Sequence, residues 1–222
     1  MNAQKIFTDS IRLEIEQQIV KLVNLHSDII TDNNNLTSPR SVGDALQELL
    51  AEHFEKILLP YNVISEYSQT FARRSMADFA FTGLNNCYYN IDVKTHNTET
   101  KFNMPNIVSV ERLARFYEDD SNYFTILMIA YHINQAQKIE ATNCYFIPLE
   151  YLHWDCLTIG ALGWGQIQIS NSHHVIIDNS ITRKKWMLSL CDKLDEFYPK
   201  EISKIRNRII YFEKIRTYWQ NK

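Results

Sequence analysis

The feature that most constrains this chain is the run Tyr123-Phe-Thr-Ile-Leu-Met-Ile-Ala-Tyr131, which is apolar along almost its whole length. A half-solvated strand alternates apolar and polar residues. A run with no polar face has to be covered on both sides, as a central strand in a layered fold is. It is roughly half the length that a membrane helix needs, so it predicts a buried strand and not a bilayer span.

Around that strand the hydrophobic period changes along the chain. Ile11, Ile15, Ile19, Leu22 and Val23 recur at helical spacing and predict a helix from about Asp9 to Leu25. Thr31-Asp-Asn-Asn-Asn-Leu-Thr-Ser-Pro39 reads as a polar loop rich in turn formers. A second helix is expected from near Ser41, with Ala45, Leu46, Leu49, Leu50 and Phe54 facing inward, and Pro60 ends it. Val63–Tyr67, Ala77–Thr82 and Tyr88–Val93 read as strands, and Gly83-Leu-Asn-Asn86 is a hairpin turn between the last two. A helix from about Asn106 to Tyr117 and a strand at Asn143–Ile147 follow. Two helices close the chain, one with Trp186, Leu190 and Leu194, the other with Ile202, Ile205, Ile209, Phe212 and Ile215, and Pro199 stands between them. The order predicts an α/β fold with a mixed central sheet flanked by helices. One domain over residues 1–222 is expected: helices in 1–60, the sheet core in 61–150, and a closing segment with C-terminal helices in 151–222.

Composition supports a packed fold. The hydrophobic share is 45%, with 12 Tyr, 11 Phe and 4 Trp, which excludes long disorder. Met1-Asn-Ala-Gln-Lys5 leads into an amphipathic pattern and not a signal core, so a cytoplasmic protein without a membrane segment is expected. In that compartment Cys87, Cys144, Cys156 and Cys191, none of them in a C-x-x-C pair, are expected to be reduced and packed as small hydrophobes. His153 and Cys156 stand three apart, a weak zinc signal without further ligands. The net charge is −3, unevenly spread: from Thr182 to Lys222 eleven Lys and Arg face five Asp and Glu, a balance of +6 that leaves −9 on the rest. A basic tail on an acidic body suits a protein that meets phosphates with one face, and equally suits a solvated helix surface.

The chemistry-bearing segment is Met76-Ala-Asp78 followed by Asn90-Ile-Asp92-Val-Lys94-Thr95. Asp92 and Lys94 are two apart on a strand, so both side chains point to one face. Asp78 lies on the hairpin partner. Two carboxylates at adjacent strand positions can share one hard cation, and Mg²⁺ is held by one or two carboxylates with water and phosphate oxygens. An ammonium beside them can hold a water for attack on phosphorus. A D-x-K triplet alone is common, and a solvent-facing pair explains it as well. The second helix adds Asp44 and Glu48 one turn apart. Glu48 is a candidate outer member of a metal site, or an ordinary exposed helix residue.

Asp78 followed, after a hairpin, by Asp92-Val-Lys94 resembles the PD-(D/E)XK nuclease superfamily. More narrowly, Ser75-Met-Ala-Asp-Phe-Ala, then Tyr89-Asn-Ile-Asp-Val-Lys-Thr-His-Asn97, Met104-Pro-Asn-Ile-Val-Ser109 and Arg112-Leu-Ala114 resemble its HincII-like type II restriction endonucleases. The likeness is specific over about Met76 to Ala114 and thinner at Gly43-Asp-Ala-Leu, Trp164-Gly-Gln-Ile-Gln168 and Thr182-Arg-Lys-Lys-Trp186. Ala77 stands where the superfamily name has Pro, as it does in HincII-like members. The resemblance implies a restriction-endonuclease-like core. Asp78 and Asp92 would bind Mg²⁺ and Lys94 would orient the attacking water. A homodimer would hydrolyse one phosphodiester per strand within a short palindrome in double-stranded DNA, leaving blunt ends with 5′-phosphates. A bacterial cytoplasmic setting and a cognate DNA methyltransferase follow from the same resemblance.

Two segments are candidates for reading DNA. Thr95 to Asn106 follows the catalytic strand directly, so His96, Asn97, Lys101, Phe102, Asn103, Met104 and Asn106 lie close to a scissile phosphate. Asn and Lys can bond base edges or phosphates, and Phe102 or Met104 could press on a base step. By resemblance, Asn103 and Asn106 are preferred contacts; Asn106 also suits a helix N-cap. In Leu162-Gly-Trp-Gly-Gln-Ile-Gln168, Gln166 and Gln168 share a side if extended, and Gln pairs bidentately with adenine. Trp164 is a base stacker or, as the more ordinary role, a packed core residue. Arg73, Arg74, Lys101, Arg183, Lys184 and Lys185 are phosphate candidates, and Asn33-Asn-Asn35 could enter a groove. Two rivals stand beside the restriction enzyme: a repair or junction-resolving nuclease on the same core, which would cut by structure or damage, and a DNA-binding module whose carboxylates carry no metal.

Overall fold

The inward stripe of the first helix, Ile15, Ile19 and Val23, packs on a five-stranded sheet whose other face carries a second apolar core. The structure, a computed structural model, describes residues 6–28, 39–69 and 76–222. The polar loop around Asn33–Asn35 and the cations Arg73 and Arg74 lie outside the described residues. The helices are α1 (Asp9–Leu25), α2 (Pro39–Leu58), α3 (Val110–Phe116) and α4 (Arg183–Gln220). The strands are β1 (Ile64–Ser68), β2 (Phe79–Gly83), β3 (Tyr88–Asn97), β4 (Asn106–Ser109), β5 (Asn122–Ile133), β6 (Ile139–Pro148), β7 (Leu157–Gly160) and β8 (Gln166–Ile169).

The large sheet has the order β1-β2-β3-β5-β6, and a three-stranded sheet has the order β4-β8-β7. β3 and β5 run parallel, and the other pairs in both sheets are antiparallel. The fold is therefore α/β with a mixed central sheet flanked by helices. The run around Tyr123–Tyr131 forms the middle of β5, and its unbroken hydrophobicity has the predicted cause. Leu127, Ile129 and Tyr131 enter a core under α1 and α2. Phe124, Ile126 and Met128 enter a second core shared with β4, β7, β8, α3 and the start of α4. A parallel partner needs a long return path, and the chain between β3 and β5 supplies it with β4 and α3.

The hairpin turn is formed as its residues predict. Asn86 takes a left-handed backbone (φ 59°), and its N–H donates to the Gly83 carbonyl at 2.9 Å. The second helix begins at Pro39 and ends at Leu58, where Leu59–Tyr61 adds one tight turn.

Two expectations need correction. Asn106–Ser109 is a strand, and the helix starts at Val110 with Ser109 at its N-cap. Asn106 is therefore not a cap; it pairs with Gln168 across the small sheet, and that tertiary ladder overrides helical periodicity. The C-terminal pair of helices is one helix of 38 residues with Pro199 inside it. Proline removes one backbone donor and crowds the preceding turn, but here the helix continues through it. No helix among the described residues is long and apolar enough to cross a membrane.

Candidate active site

The β2–β3 register pairs Phe79 with Ile91, and the next step outward brings Asp78 against Asp92. Asp78 is tied to β3 on either side of Asp92. The Asp78 amide donates to the Ile91 carbonyl at 2.8 Å, and the Val93 amide donates to Asp78 Oδ2 at 2.6 Å. On β3 the alternation divides the strand cleanly. Tyr89, Ile91 and Val93 belong to the core under α1 and α2. Asn90, Asp92, Lys94 and His96 occupy the other face, opposite in character to the Phe124, Ile126 and Met128 that neighbouring β5 offers to the second core.

Asp92 is only 6% exposed. Lys94 Nζ donates to its Oδ1 at 2.7 Å, while Oδ2 is buried without a hydrogen-bond partner. Burial pushes the Asp92 carboxyl up to about 7, with Lys94 pulling it down and Asp78 raising it further. Asp78 is raised in the same direction, chiefly by burial; the Val93 amide and Lys94 oppose that, and Asp44 adds to it. Two carboxylates whose charge is disfavoured by their surroundings, one with an orphaned buried oxygen, form a donor set that suits a hard divalent cation. They open on a cleft of about 290 Å³ that Arg112 of α3 and Gln166 of β8 also line. Among the described residues no group of three or more His, Cys, Asp or Glu gathers as ligands, so water and substrate oxygens would have to complete a coordination shell.

The structure brings some predicted residues together and not others. Glu48 does not join the carboxylates: it is exposed on α2, and among that helix's acids it is Asp44 whose charge reaches Asp78. His96 is not free for DNA. It is 3% exposed, its Nδ1 shares a hydrogen bond with Ser172 Oγ at 2.7 Å, and His173 stands perpendicular to it with ring centroids 4.3 Å apart. Burial, then His173, pulls its pKa below the ordinary histidine value. Alternation along β3 decides this, since a strand residue two beyond Lys94 points into the packed segment at Ser172. Asn97 is committed to its own turn, where its Oδ1 accepts the Glu99 amide at 2.9 Å.

Arg183 is likewise not a free phosphate ligand. Its Nε donates to Glu150 Oε1 at 3.0 Å, and its guanidinium lies 4.4 Å and 4.3 Å from the ring centroids of Tyr117 and Tyr123. Glu150 is 4% exposed and also accepts from the Tyr117 hydroxyl at 2.8 Å. The arginine thus balances a buried acid. His153 and Cys156 make no zinc site either, because the Cys156 thiol is buried and donates to the His153 carbonyl at 3.1 Å.

The remaining loop candidates are available. Lys101, Phe102 and Met104 are exposed beyond β3, and Asn103, half-buried, is anchored through its carbonyl by the Ser172 amide. Gln166 and Gln168 share one face of β8 while Ile167 and Ile169 are buried on the other. Gln168 Nε2 donates to Asn106 Oδ1 at 2.5 Å. Trp164 is not a core residue: it is 75% exposed at a turn where Gly163 (φ 59°), Trp164 (φ 68°) and Gly165 (φ 132°) all have positive φ. Only the glycines take that backbone without strain, and together they hold the indole out beside the cleft-lining Gln166.

Sequence reasoning passed over two residues as site members. Arg112 is an exposed cation at the cleft with no ion pair or hydrogen bond among the described residues. Asn90 is buried two positions before Asp92 with its Oδ1 unpartnered. Period two on β3 could have flagged Asn90; nothing local in the sequence turns Arg112 toward the carboxylates. No family model matches this chain, and no curated protein matches it significantly.

Proposed function

We propose that this protein is a Mg²⁺-dependent endonuclease of the PD-(D/E)XK type that hydrolyses phosphodiester bonds in double-stranded DNA, in the manner of a type II restriction endonuclease. The observation that carries the reading is the pairing of Asp78 with Asp92 across the β2–β3 hairpin, with Lys94 on one oxygen of Asp92 and the other oxygen buried and unpartnered. A solvated carboxylate–lysine pair needs no burial. A buried one costs folding free energy, and an open cleft beside it gives that cost a chemical use.

In this reading Asp78 and Asp92 hold the metal. When bound, Mg²⁺ supplies Lewis-acid polarisation of the phosphoryl oxygens and lowers the pKa of a coordinated water. Lys94 is poised by Asp92 to orient the attacking water and to offset the negative charge that builds on phosphorus. Arg112 meets a phosphate at the cleft. Trp164, Gln166, Gln168, Asn106 and the exposed residues from Lys101 to Met104 form the DNA-reading rim. Two copies would cut the two strands of one palindromic site, leaving blunt ends by the resemblance, and a methyltransferase of the same specificity would protect the host.

Digestion of a sequenced plasmid, with and without Mg²⁺, tests this, and end sequencing completes it. The expected result is metal-dependent cleavage at one short palindrome with 5′-phosphate ends. Cleavage governed by mismatches or junctions would give the protein to repair nucleases instead. Full DNA binding with no cleavage in any divalent metal would leave only a binding module.

A further inference from the structure

The distal half of α4 stands clear of the rest of the protein. Trp186 and Leu190 are the buried residues of this helix, whereas Ile202, Ile205, Ile209, Phe212 and Trp219 are 38% to 64% exposed. With Tyr198 and Arg216 they recur at alternating spacings of four and three along one stripe. That is a heptad seam, with Ile202, Ile209 and Arg216 at the a positions and Tyr198, Ile205, Phe212 and Trp219 at the d positions. Burying such side chains is favourable, and most helical stability in proteins comes from packing an apolar face.

We propose that the occupant of this stripe is the same segment of a second copy, paired as a parallel two-stranded coiled coil. The flanking charges select that occupant. Glu201 and Arg208 fall at g positions, Arg206 and Glu213 at the following e positions. In a parallel in-register pair the g residue of one helix faces the next e residue of the other. Glu201 then meets Arg206 of the second copy, and Arg208 meets Glu213 of the second copy. Both pairs are of opposite sign, and two-fold symmetry repeats each of them. A polar Arg216 at one a position fixes register and oligomer state at a cost in stability. On the scale of the area an aromatic side chain buries, the stripe offers on the order of 500 Å² per copy, or about 1,000 Å² in all, the lower bound for a specific interface. A parallel pair leaves both catalytic bodies at the same end of the coil, where two sites can reach opposite strands of one duplex. This deepens the two-copy part of the proposed function, but it rests on the helix and not on the cleavage chemistry.

Sedimentation velocity of the full chain, without DNA or metal, tests the pairing. The expected species is a dimer. Combined Ile205→Glu and Ile209→Glu should raise its dissociation constant by about 100-fold or more, with the thermal transition of the body unchanged. Glu201→Lys and Arg206→Glu should each weaken the dimer and together restore it. Phe212→Cys should cross-link copy to copy on oxidation, as only a parallel in-register pair allows. A monomer at tens of micromolar (about the upper range of such a run), a dimer indifferent to the Ile205 and Ile209 changes, a higher oligomer, or no rescue in the charge-swapped variant would each overturn the proposal. Cleavage is not read, so failure here leaves the nuclease reading standing.

Discussion

Asp92 carries an energetic burden that its neighbour only partly relieves. Lys94 neutralises one oxygen, and the other has no donor in a buried site. The folded-state pKa of about 7 lies above the ordinary carboxylate value. The contribution of this group to stability is therefore fully present at pH below that ordinary value and is lost as pH rises through about 7. Asp92→Asn keeps the shape and removes the charge. In EDTA its melting temperature should exceed that of the unaltered protein by several degrees at pH 8, with the gap closing toward pH 5; thermal melts at the two pH values check this, and an equal gap at both would contradict the assigned burden. With Mg²⁺ and DNA the order reverses. Asp78→Ala, Asp92→Ala and Lys94→Ala should each lower the cleavage rate by about 10³-fold or more while sparing the fold, since each removes several kcal/mol of transition-state stabilisation. Single-turnover cleavage with a matched circular dichroism spectrum reads both, and retained cutting in any one of the three would remove that residue from its role.

The elements around the site divide the predicted contacts into those left exposed beside the cleft and those that hold the fold. Arg183 at the start of α4 belongs to the second group. Arg183→Met strands the buried Glu150, and the expected loss is about 3 kcal/mol of stability, seen as a lower denaturation midpoint with no change in the salt dependence of DNA binding. The β7–β8 turn belongs to the first. Trp164→Ala touches nothing buried, so stability should hold while DNA affinity falls by about 1–3 kcal/mol, measured by fluorescence anisotropy in Ca²⁺ to hold back cleavage. An unchanged affinity would return Trp164 to the ordinary surface. The small sheet also explains why local sequence misreads 106–109: Asn-Ile-Val-Ser is compatible with a helix start, and only its partner β8, about sixty residues further on, makes it a strand. Pro199 misleads in the opposite direction, because a proline reads locally as a break, yet α4 continues through it.

At the level of the molecule, the central sheet separates two cores, and β3 is the place where the second core gives way to polar residues. In the proposed function, an acidic body with a basic C-terminal tail would leave few cations near the cleft to meet DNA, Arg112 among them. Arg112→Ala should therefore lower the slope of log affinity against log salt by about one unit, an effect that binding titrations at several salt concentrations would detect and that Lys184→Ala or Lys185→Ala, exposed in the first turn of α4 and outside the cleft lining, should not reproduce. The period of the hydrophobic residues was enough for the α/β class, for the buried β5 and for the β2–β3 hairpin, because each depends on patterns a few residues long. The same local rules put Asp92 and Lys94 on one face and Asp78 beside them. They did not reach the fate of Glu48, His96 or Arg183, nor the exposure of Trp164 and the nearness of Arg112. Those depend on which segments, far apart in the chain, come to lie against one another. Burial and ion pairing are properties of that packing, and no spacing along the chain encodes them.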